Sequence, residues 1–436
     1  PFLGASMQSK EQKADMELVF KDVNGAGVLD FVAAWYIKAA KYMQGKKTKT
    51  ALVSTNSITQ GEQVGILWQE LFSKYHIKIH FAHKTFKWSN EAKRNAAVFC
   101  VIIGFAAHDT KTKRLFEYET VNAEPHEITV NNISPYLVMG GDFFLESRRT
   151  HIQNNIPPIT KGSQPTDGGN LLLSDSDKAE LLTKEPKAEK FIHPLLGAKE
   201  FLNGESRWCL WLVDANPSEL KQLPLVMKRV EAVKEFRLLS TKAATRKWAE
   251  TPTLFTEIRQ PKSSFLLVPS HSSENRKYIP LGFFAKEVIS TNANLLIPNA
   301  TLYHFGILTS LMHMDWMRYV CGRLEGRYRY SNEIVYNNFP FPLEVSEKQK
   351  ADIEALAQKI LDARAEFPDS SLADLYNPLT MPPKLLKAHE ALDKAVDKLY
   401  RKEGFKTDTE RVAHLFELNQ KLTSLVVDEP KKSKRK

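Results

Sequence analysis

Cysteine is almost absent: the 436 residues hold three, Cys100, Cys209 and Cys321. They are far apart and lie in apolar stretches, which excludes a disulfide framework or a zinc cluster and reads as buried thiols in a reducing cytoplasm. No histidine pair has metal-ligand spacing; His80 and His83 flank a strand end, where core or loop roles fit better than ligation. No apolar run is long enough to span a bilayer and no leader pattern is visible, so no membrane partner is expected. A glycine-rich strand-to-helix turn is also missing. Gly25, Gly27, Gly61 and Gly65 do not follow a strand in a cofactor-binding pattern and read as loop and helix-end glycines. Ser54, Asn56 and Ser57 have no base placed by local spacing and no GxSxG elbow, and no Asp with a Glu-x-Lys strand marks a nuclease.

What is abundant is positive charge. Hydrophobic residues at 42% and charged residues at 26% are ordinary for a globular protein, but the formal net charge is +10. A basic balance of this size favours a polyanionic partner, with nucleic acid first among candidates; a merely solvated basic surface is the bland alternative. The length allows two or three domains, each with its own core.

The densest pattern runs from Ala51 to Phe105. Thr50 to Asn56 is a short β-branched run ending in polar residues, which predicts a buried strand opening into a loop at Ser57 to Gly61. Val64, Leu67, Trp68, Leu71 and Phe72 then recur at helical spacing, predicting a helix over Gln63 to Tyr75. Ile77 to Ala82 and Ala96 to Phe105 read as two strands closing one edge of a mixed sheet, separated by the polar segment His83 to Asn95. Upstream, Val28, Val32, Trp35, Tyr36, Ala39 and Met43 predict an earlier helix. The order helix, strand, helix, strand, strand is that of the second half of a doubly wound α/β domain.

From Ala106 to Ile133 the chain reads as a polar connection. A second, α+β region follows, with short strands at Trp208 to Val213 and Phe265 to Pro269 and a basic helix from Leu225 to Arg246. Ser346 to Val427 is helical: Ile353, Leu356, Ile360 and Leu361 share one face, and Leu392, Val396 and Leu399 another. The boundaries expected are 1–125, 126–345, 346–428 and a basic tail at 429–436 that could touch phosphates without reading sequence.

Three basic groupings are candidates for DNA contact. In Arg323 to Tyr330, Glu325 and Arg327 are two apart, so on an extended segment both would point to one side. Arg can donate twice to guanine while Glu accepts from the cytosine amino group, so the pair could read one C·G base pair; a surface ion pair is the alternative. Arg323 and Arg329 would support that loop or touch phosphate. Ser273, Asn275, Arg276 and Lys277, in the run Ser270 to Lys277 after a strand, offer donors for base edges and phosphates, or form an ordinary polar turn. Lys242 and Arg246, with Lys247, Thr241 and Thr245, suit phosphate contacts or a solvated helix face.

The blocks VSTNSITQGEQVGILW, IHFAHKTFKWSNEAK and YRYSNEIVYNNFPFP resemble the adenine-specific methyltransferase part of single-chain type IIL restriction-modification enzymes, the MmeI-like group. FLNGESRWCLWLVDANP, NLLIPNATLYHFGILTSLMHMDWM and SSLADLYNPLTMPPKLLKAHEALDKAVDKLY extend the likeness over almost the whole chain. The resemblance implies a prokaryotic cytoplasmic enzyme that uses S-adenosylmethionine and double-stranded DNA. It implies a catalytic Asn-Pro-Pro-aromatic tetrad of which Pro1 and Phe2 would be the last two residues. In such a tetrad the Asn side chain and a backbone carbonyl accept from the adenine amino group, and the aromatic ring stacks on the flipped base.

The same resemblance makes the first region the second half of a Rossmann-like class I methyltransferase domain and the middle region a target recognition domain. It makes Glu325 and Arg327 a variable base-reading pair and places any endonuclease before Pro1. Without the tetrad's Asn and a cofactor turn, the isolated chain is expected to be a carboxy-terminal fragment that recognises DNA, binds the methyl donor poorly and is inactive. The competing expectation is a freestanding DNA-specificity module working with a separate catalytic subunit.

Overall fold

A computed structural model of the chain describes residues 2–88, 98–119, 122–324 and 326–427. Contacts divide it into two compact units, one of residues 1–154, 311–343 and 401–436, the other of 155–310 and 344–400.

The first unit opens with α1 (Lys10–Val19), started by a Ser9/Gln12 capping box, and α2 (Ala33–Met43). Tyr36, Ile37, Ala40 and Met43 form the buried face of α2, whereas Trp35 and Val28 are exposed. The predicted stripe is therefore rotated, because the helix begins only at Ala33 and Trp35 packs edge-on against Phe31 at the surface. Strand β1 (Lys49–Thr55) leads through a buried 3-10 turn, Asn56–Thr59, into α3 (Gly61–Ser73). Val64, Leu67, Trp68 and Leu71 of α3 are wholly buried. Each such aliphatic or aromatic side chain contributes about 1.5–3 kcal/mol of transfer free energy, which is what holds an otherwise uncapped helix on the sheet.

β2 (Lys78–Trp88), β3 (Val98–Ala106), β4 (Lys113–Glu117) and β5 (His126–Val130) complete a five-stranded sheet in the order β1-β3-β2-β4-β5. β3 is antiparallel to both β1 and β2, and β4 runs parallel to β2. Two expectations change here. The β2–β3 pair lies inside the sheet instead of closing its edge, and β2 runs on through His83 to Trp88. The stretch read as a polar connection supplies β4 and β5, whose polar outer positions hide the alternation of a half-exposed strand. Ser89–Asn95 of the predicted polar segment lies outside the described residues.

The second unit contains β6 (Thr160–Lys161), β7 (Leu172–Leu173), α4 (Asp175–Lys184), β8 (Ile192–Leu196), α5 (Ala198–Asn203) and β9 (Trp208–Leu210). After these come α6 (Pro217–Leu220), α7 (Pro224–Leu238), α8 (Ala243–Lys247), β10 (Phe265–Pro269) and β11 (His271–Ser272). β12 (Gly282–Phe284), β13 (Ile289–Ser290), β14 (Asn294–Pro298) and α9 (Leu302–Thr309) close this run. Two four-stranded sheets result, β12-β10-β14-β6 and β13-β8-β9-β7, the second packed on Val226, Val230 and Val233 of α7. β10 has the predicted bounds. The basic helix does not: it breaks after Leu238 and restarts as α8.

Arg237 stands at that break, fully buried, and donates to five backbone carbonyls. Nε reaches Thr166 O, Nη1 reaches Trp248 and Thr251 O, and Nη2 reaches Pro165 and Leu254 O, all at 2.7–3.0 Å. All five guanidinium N–H groups are thereby used.

The chain re-enters the first unit with α10 (Leu311–Val320) and a hairpin of β15 (Gly322–Leu324) and β16 (Arg327–Arg329), followed by a π turn at Asn332–Tyr336. α11 (Glu347–Ala365), α12 (Leu372–Leu375) and α13 (Pro383–Tyr400) belong to the second unit and α14 (Asp408–Val427) to the first. The predicted faces hold in part: Ile353, Ile360, Leu392 and Val396 are buried, whereas Leu356, Leu361 and Leu399 are half-buried at their margins. α10 packs on α14 through Trp316 and Phe416, whose rings are 5.0 Å apart, and through buried Asp315, which accepts from Arg318 and Arg411. Cys100, Cys209 and Cys321 are free and buried. Among the described residues no helix is long and apolar enough to cross a membrane, and no cluster of three His, Cys, Asp or Glu could hold a metal.

Candidate nucleic-acid interface

The hairpin β15–β16 carries the sharpest of the predicted groups. Leu324 pairs with Arg327 and Arg323 with Tyr328, and Gly326 has φ +93°, so the chain reverses direction within the run. The run is thus not one extended segment, and the same-side argument for Glu325 and Arg327 does not apply to it. Glu325 itself lies outside the described residues, as does Pro1. On β16, Arg327 and Arg329 alternate with buried Tyr328, so both arginines emerge on the exposed face. Arg323 is committed to the hairpin: its Nη1 donates to Gly326 O at 3.1 Å and its Nη2 to Arg318 O at 3.3 Å. Its guanidinium also lies 4.4 Å from the Tyr328 ring centre.

Two anchors fix this hairpin in the first unit. Tyr330, directly after β16, is buried with its Oη 2.8 Å from Nε2 of His313 on α10; burial pushes the His313 pKa down to about 3. Farther on, the side-chain amide of Asn338 donates to Glu146, Glu333 and Ile334 O, and that of Asn337 to Arg148 O. The NN of the sequence block YSNEIVYNNFPFP is therefore a backbone staple.

In the second unit, Ser273 to Lys277 form a tight turn after β11. The Asn275 amide donates to Ser273 Oγ at 3.2 Å, Arg276 Nη1 donates to Ser272 Oγ at 3.3 Å, and the Lys277 ammonium lies 5.4 Å from the Tyr278 ring centre. Asn275 and Lys277 are exposed, and Ser273 and Arg276 half-buried. Lys242 and Arg246 are exposed at the start and near the end of α8, with Arg246 Nη1 donating to Ser240 O at 2.8 Å.

Phe2 is 41% exposed at the start of the first unit. The residue after it is held by Asp30, which sequence reading missed because a lone aspartate carries no spacing signal. The Asp30 carboxylate is 4% exposed and accepts from the Leu3 amide, the Val32 amide and the Thr55 hydroxyl at 3.0–3.1 Å. Leu3 O in turn accepts from Phe31 N. One buried carboxylate thus ties the segment following Phe2 to the carboxyl end of β1, where Ser54, Asn56, Ile58 and Thr59 of the STNSIT block are buried.

Among the described residues, the passage from β1 to α3 through Asn56–Gln60 offers no donor cradle for a phosphate or nucleotide: its one glycine, Gly61 at φ +58°, packs its backbone against Gly322.

In chain order the protein carries a mixed five-stranded sheet, a region of short sheets and helices, and a run of long helices, an order that three family models match segment by segment. Residues 1–117 match the family described as MmeI, DNA-methyltransferase domain, residues 139–343 match MmeI, target recognition domain, and residues 345–427 match MmeI, C-terminal domain. The type IIL restriction-modification enzyme MmeI, solved in complex with DNA, is 50% identical with a TM-score of 0.90, over 97% of this chain and 56% of that one. DNA methyltransferase A of Bacillus subtilis (strain 168) is 44% identical over 424 residues, 97% of this chain and 47% of the relative. The chain belongs to the MmeI-like type IIL restriction-modification family and spans about half the length of these two relatives.

Proposed function

We propose that the protein methylates the N6 position of adenine at a specific duplex DNA sequence, with S-adenosylmethionine as donor, and that this chain supplies its sequence recognition. The observation that carries the reading is Asp30, which joins the segment after Phe2 to the end of β1. Such a tie supports a stacking role for Phe2, with Pro1, against a base turned out of the duplex. The antiparallel β3 between β1 and β2 supports the second half of a class I methyltransferase sheet.

In this reading Arg327 and Glu325 contact base edges in the major groove, Arg329 touches backbone phosphate, and Arg323 holds the hairpin that presents them. Ser273, Asn275, Arg276 and Lys277 form a second contact loop, and Lys242 and Arg246 meet phosphates. The +10 charge supplies the sequence-independent part of the affinity.

The test is to express the gene's full product in a methylation-free host and map modified bases genome-wide. N6-methyladenine at one recurring motif is expected. Modified cytosine, or no motif from an active preparation, sinks the proposal. Duplex binding by this chain should also weaken steeply with added salt, and a salt-independent affinity would remove the phosphate contacts.

A further inference from the structure

Tyr278 follows the contact loop directly and is fully buried in the second unit. Its hydroxyl donates to Asp393 Oδ2 at 2.7 Å, and its ring stacks on His389 with centroids 4.0 Å apart and planes 20° from parallel. His389 and Asp393 are four residues apart on α13, so they present one face to it. His389 Nε2 is 2.8 Å from Tyr376 Oη, which accepts from Arg364 Nε at 2.7 Å. Arg364, on α11, also donates to Leu281 O at 2.7 Å. Residues 278–281 are therefore fastened at both ends to the carboxy-terminal helices by charge-assisted bonds, the first of them buried. On its other side the loop leaves β10, the central strand hydrogen-bonded to both β12 and β14. The turn Ser273 to Lys277 thus lies between β11 and this fastened segment.

We infer that the Tyr278–Asp393–His389 cluster is the positioning device of the Ser273–Lys277 loop, so that α13 governs DNA recognition without touching DNA. This rests on the proposed contact role of that loop. A contact loop gains affinity from being held in its bound shape before the partner arrives, and a single buried hydroxyl-to-carboxylate bond at its base can supply that order. An apolar helix face would bury the same area without fixing the direction of Tyr278. The paired carboxylate and imidazole fix it twice, once through the hydroxyl and once through the ring.

The experiment uses this chain and three variants. Tyr278→Phe removes the hydroxyl, Asp393→Asn keeps an acceptor at the same place, and Ile353→Ala lowers stability from the buried face of α11 while leaving every hydrogen-bonding group of the cluster in place. Hydrogen exchange is read for peptides covering 270–277, and binding of a mixed-sequence duplex by fluorescence anisotropy at low salt. Tyr278→Phe should speed exchange in the loop and weaken DNA binding, each by about tenfold or more, the loss of one hydrogen bond to a charged acceptor. Asp393→Asn should recover most of both, and Ile353→Ala should change neither selectively. Unaltered loop exchange in Tyr278→Phe, or an equal rise with Ile353→Ala, overturns the positioning role while leaving the contact role standing. A loosened loop with unaltered DNA affinity overturns the contact role of Ser273–Lys277, and the inference with it.

Discussion

Gly61 and Gly322 meet backbone to backbone: a Cβ built on Gly61 would stand 3.2 Å from Gly322 Cα and 3.3 Å from its amide nitrogen. Gly61 starts α3 with φ +58°, and Gly322 starts the hairpin that carries Arg327. The contact seats the hairpin on the turn that follows β1. It is asymmetric, because a Cβ on Gly322 would meet nothing within 4 Å.

Gly61→Ala should therefore destabilise the protein and Gly322→Ala should not. The left-handed backbone alone costs about 1–2 kcal/mol for a residue with a Cβ, and the close approach adds to it. Gly322→Ala is expected to stay within about 0.5 kcal/mol of the parent. Urea unfolding of both variants decides the matter; equal midpoints would mean that the contact is not made in solution.

Arg237 invites a second stability test. Lysine has three donors against the five in use, so Arg237→Lys leaves at least two of the five carbonyls without their donor. A loss of about 3 kcal/mol or more is expected from chemical denaturation, with faster hydrogen exchange over Ala243–Thr251, where two of the carbonyls lie. A loss below about 1 kcal/mol would show that water replaces the guanidinium cheaply.

Much of the first sheet was legible because apolar runs such as Leu52–Val53 and Val101–Ile103 punctuate polar loops, and α3 because its core residues fall at helical spacing. β4 and β5 were not, since each has a solvent-facing side and their register is imposed by β2. Asp30, Arg237 and Tyr278 were invisible for one shared reason. Their partners are backbone groups or side chains remote in sequence, Tyr278 and Asp393 being 115 residues apart, and no local pattern records such pairs. The hairpin was misread as extended because nothing nearby except Gly326 marks the reversal.

Acid should weaken the anchor at Tyr330. With the His313 pKa held at about 3 in the folded chain against an ordinary value near 6.5, the unfolded chain binds the proton first. The stabilisation is complete above pH 6.5 and is lost as pH falls, by about 2 kcal/mol at pH 5. Replacing His313 with glutamine keeps a polar partner for Tyr330 and removes the titration. The drop in unfolding free energy between pH 7 and pH 5 should then shrink by about that amount. An unchanged drop would assign the acid sensitivity to other groups, His151 and His304 among them, whose pKa values burial lowers to about 4.

Asp30 offers a test of the segment beside Phe2. Asp30→Ala strands the amides of Leu3 and Val32, while Asp30→Asn retains one acceptor. In the gene's full product, methylation turnover should fall by about tenfold or more for alanine, as expected when a reacting geometry slips, and less for asparagine. The Michaelis constant for DNA should hold, because the hairpin and the second loop are unaffected. Equal loss of turnover and DNA affinity would mean that Asp30 supports the fold as a whole and not the placement of Phe2.

The boldest assignment is base reading by Glu325 and Arg327. If Glu325 accepts from a cytosine amino group and Arg327 donates to the guanine opposite, then Glu325→Lys with Arg327→Asp reverses the pattern offered to the groove. The new lysine can donate to a guanine where Glu325 accepted from cytosine, and the new aspartate can accept where Arg327 donated. Each single change leaves one partner facing a like group and should cost roughly 1–3 kcal/mol. The double change should restore activity with the preferred base pair swapped at one position of the site. Genome-wide mapping of methylated adenines reads this directly: an unchanged motif at normal activity would reduce the pair to a surface ion pair.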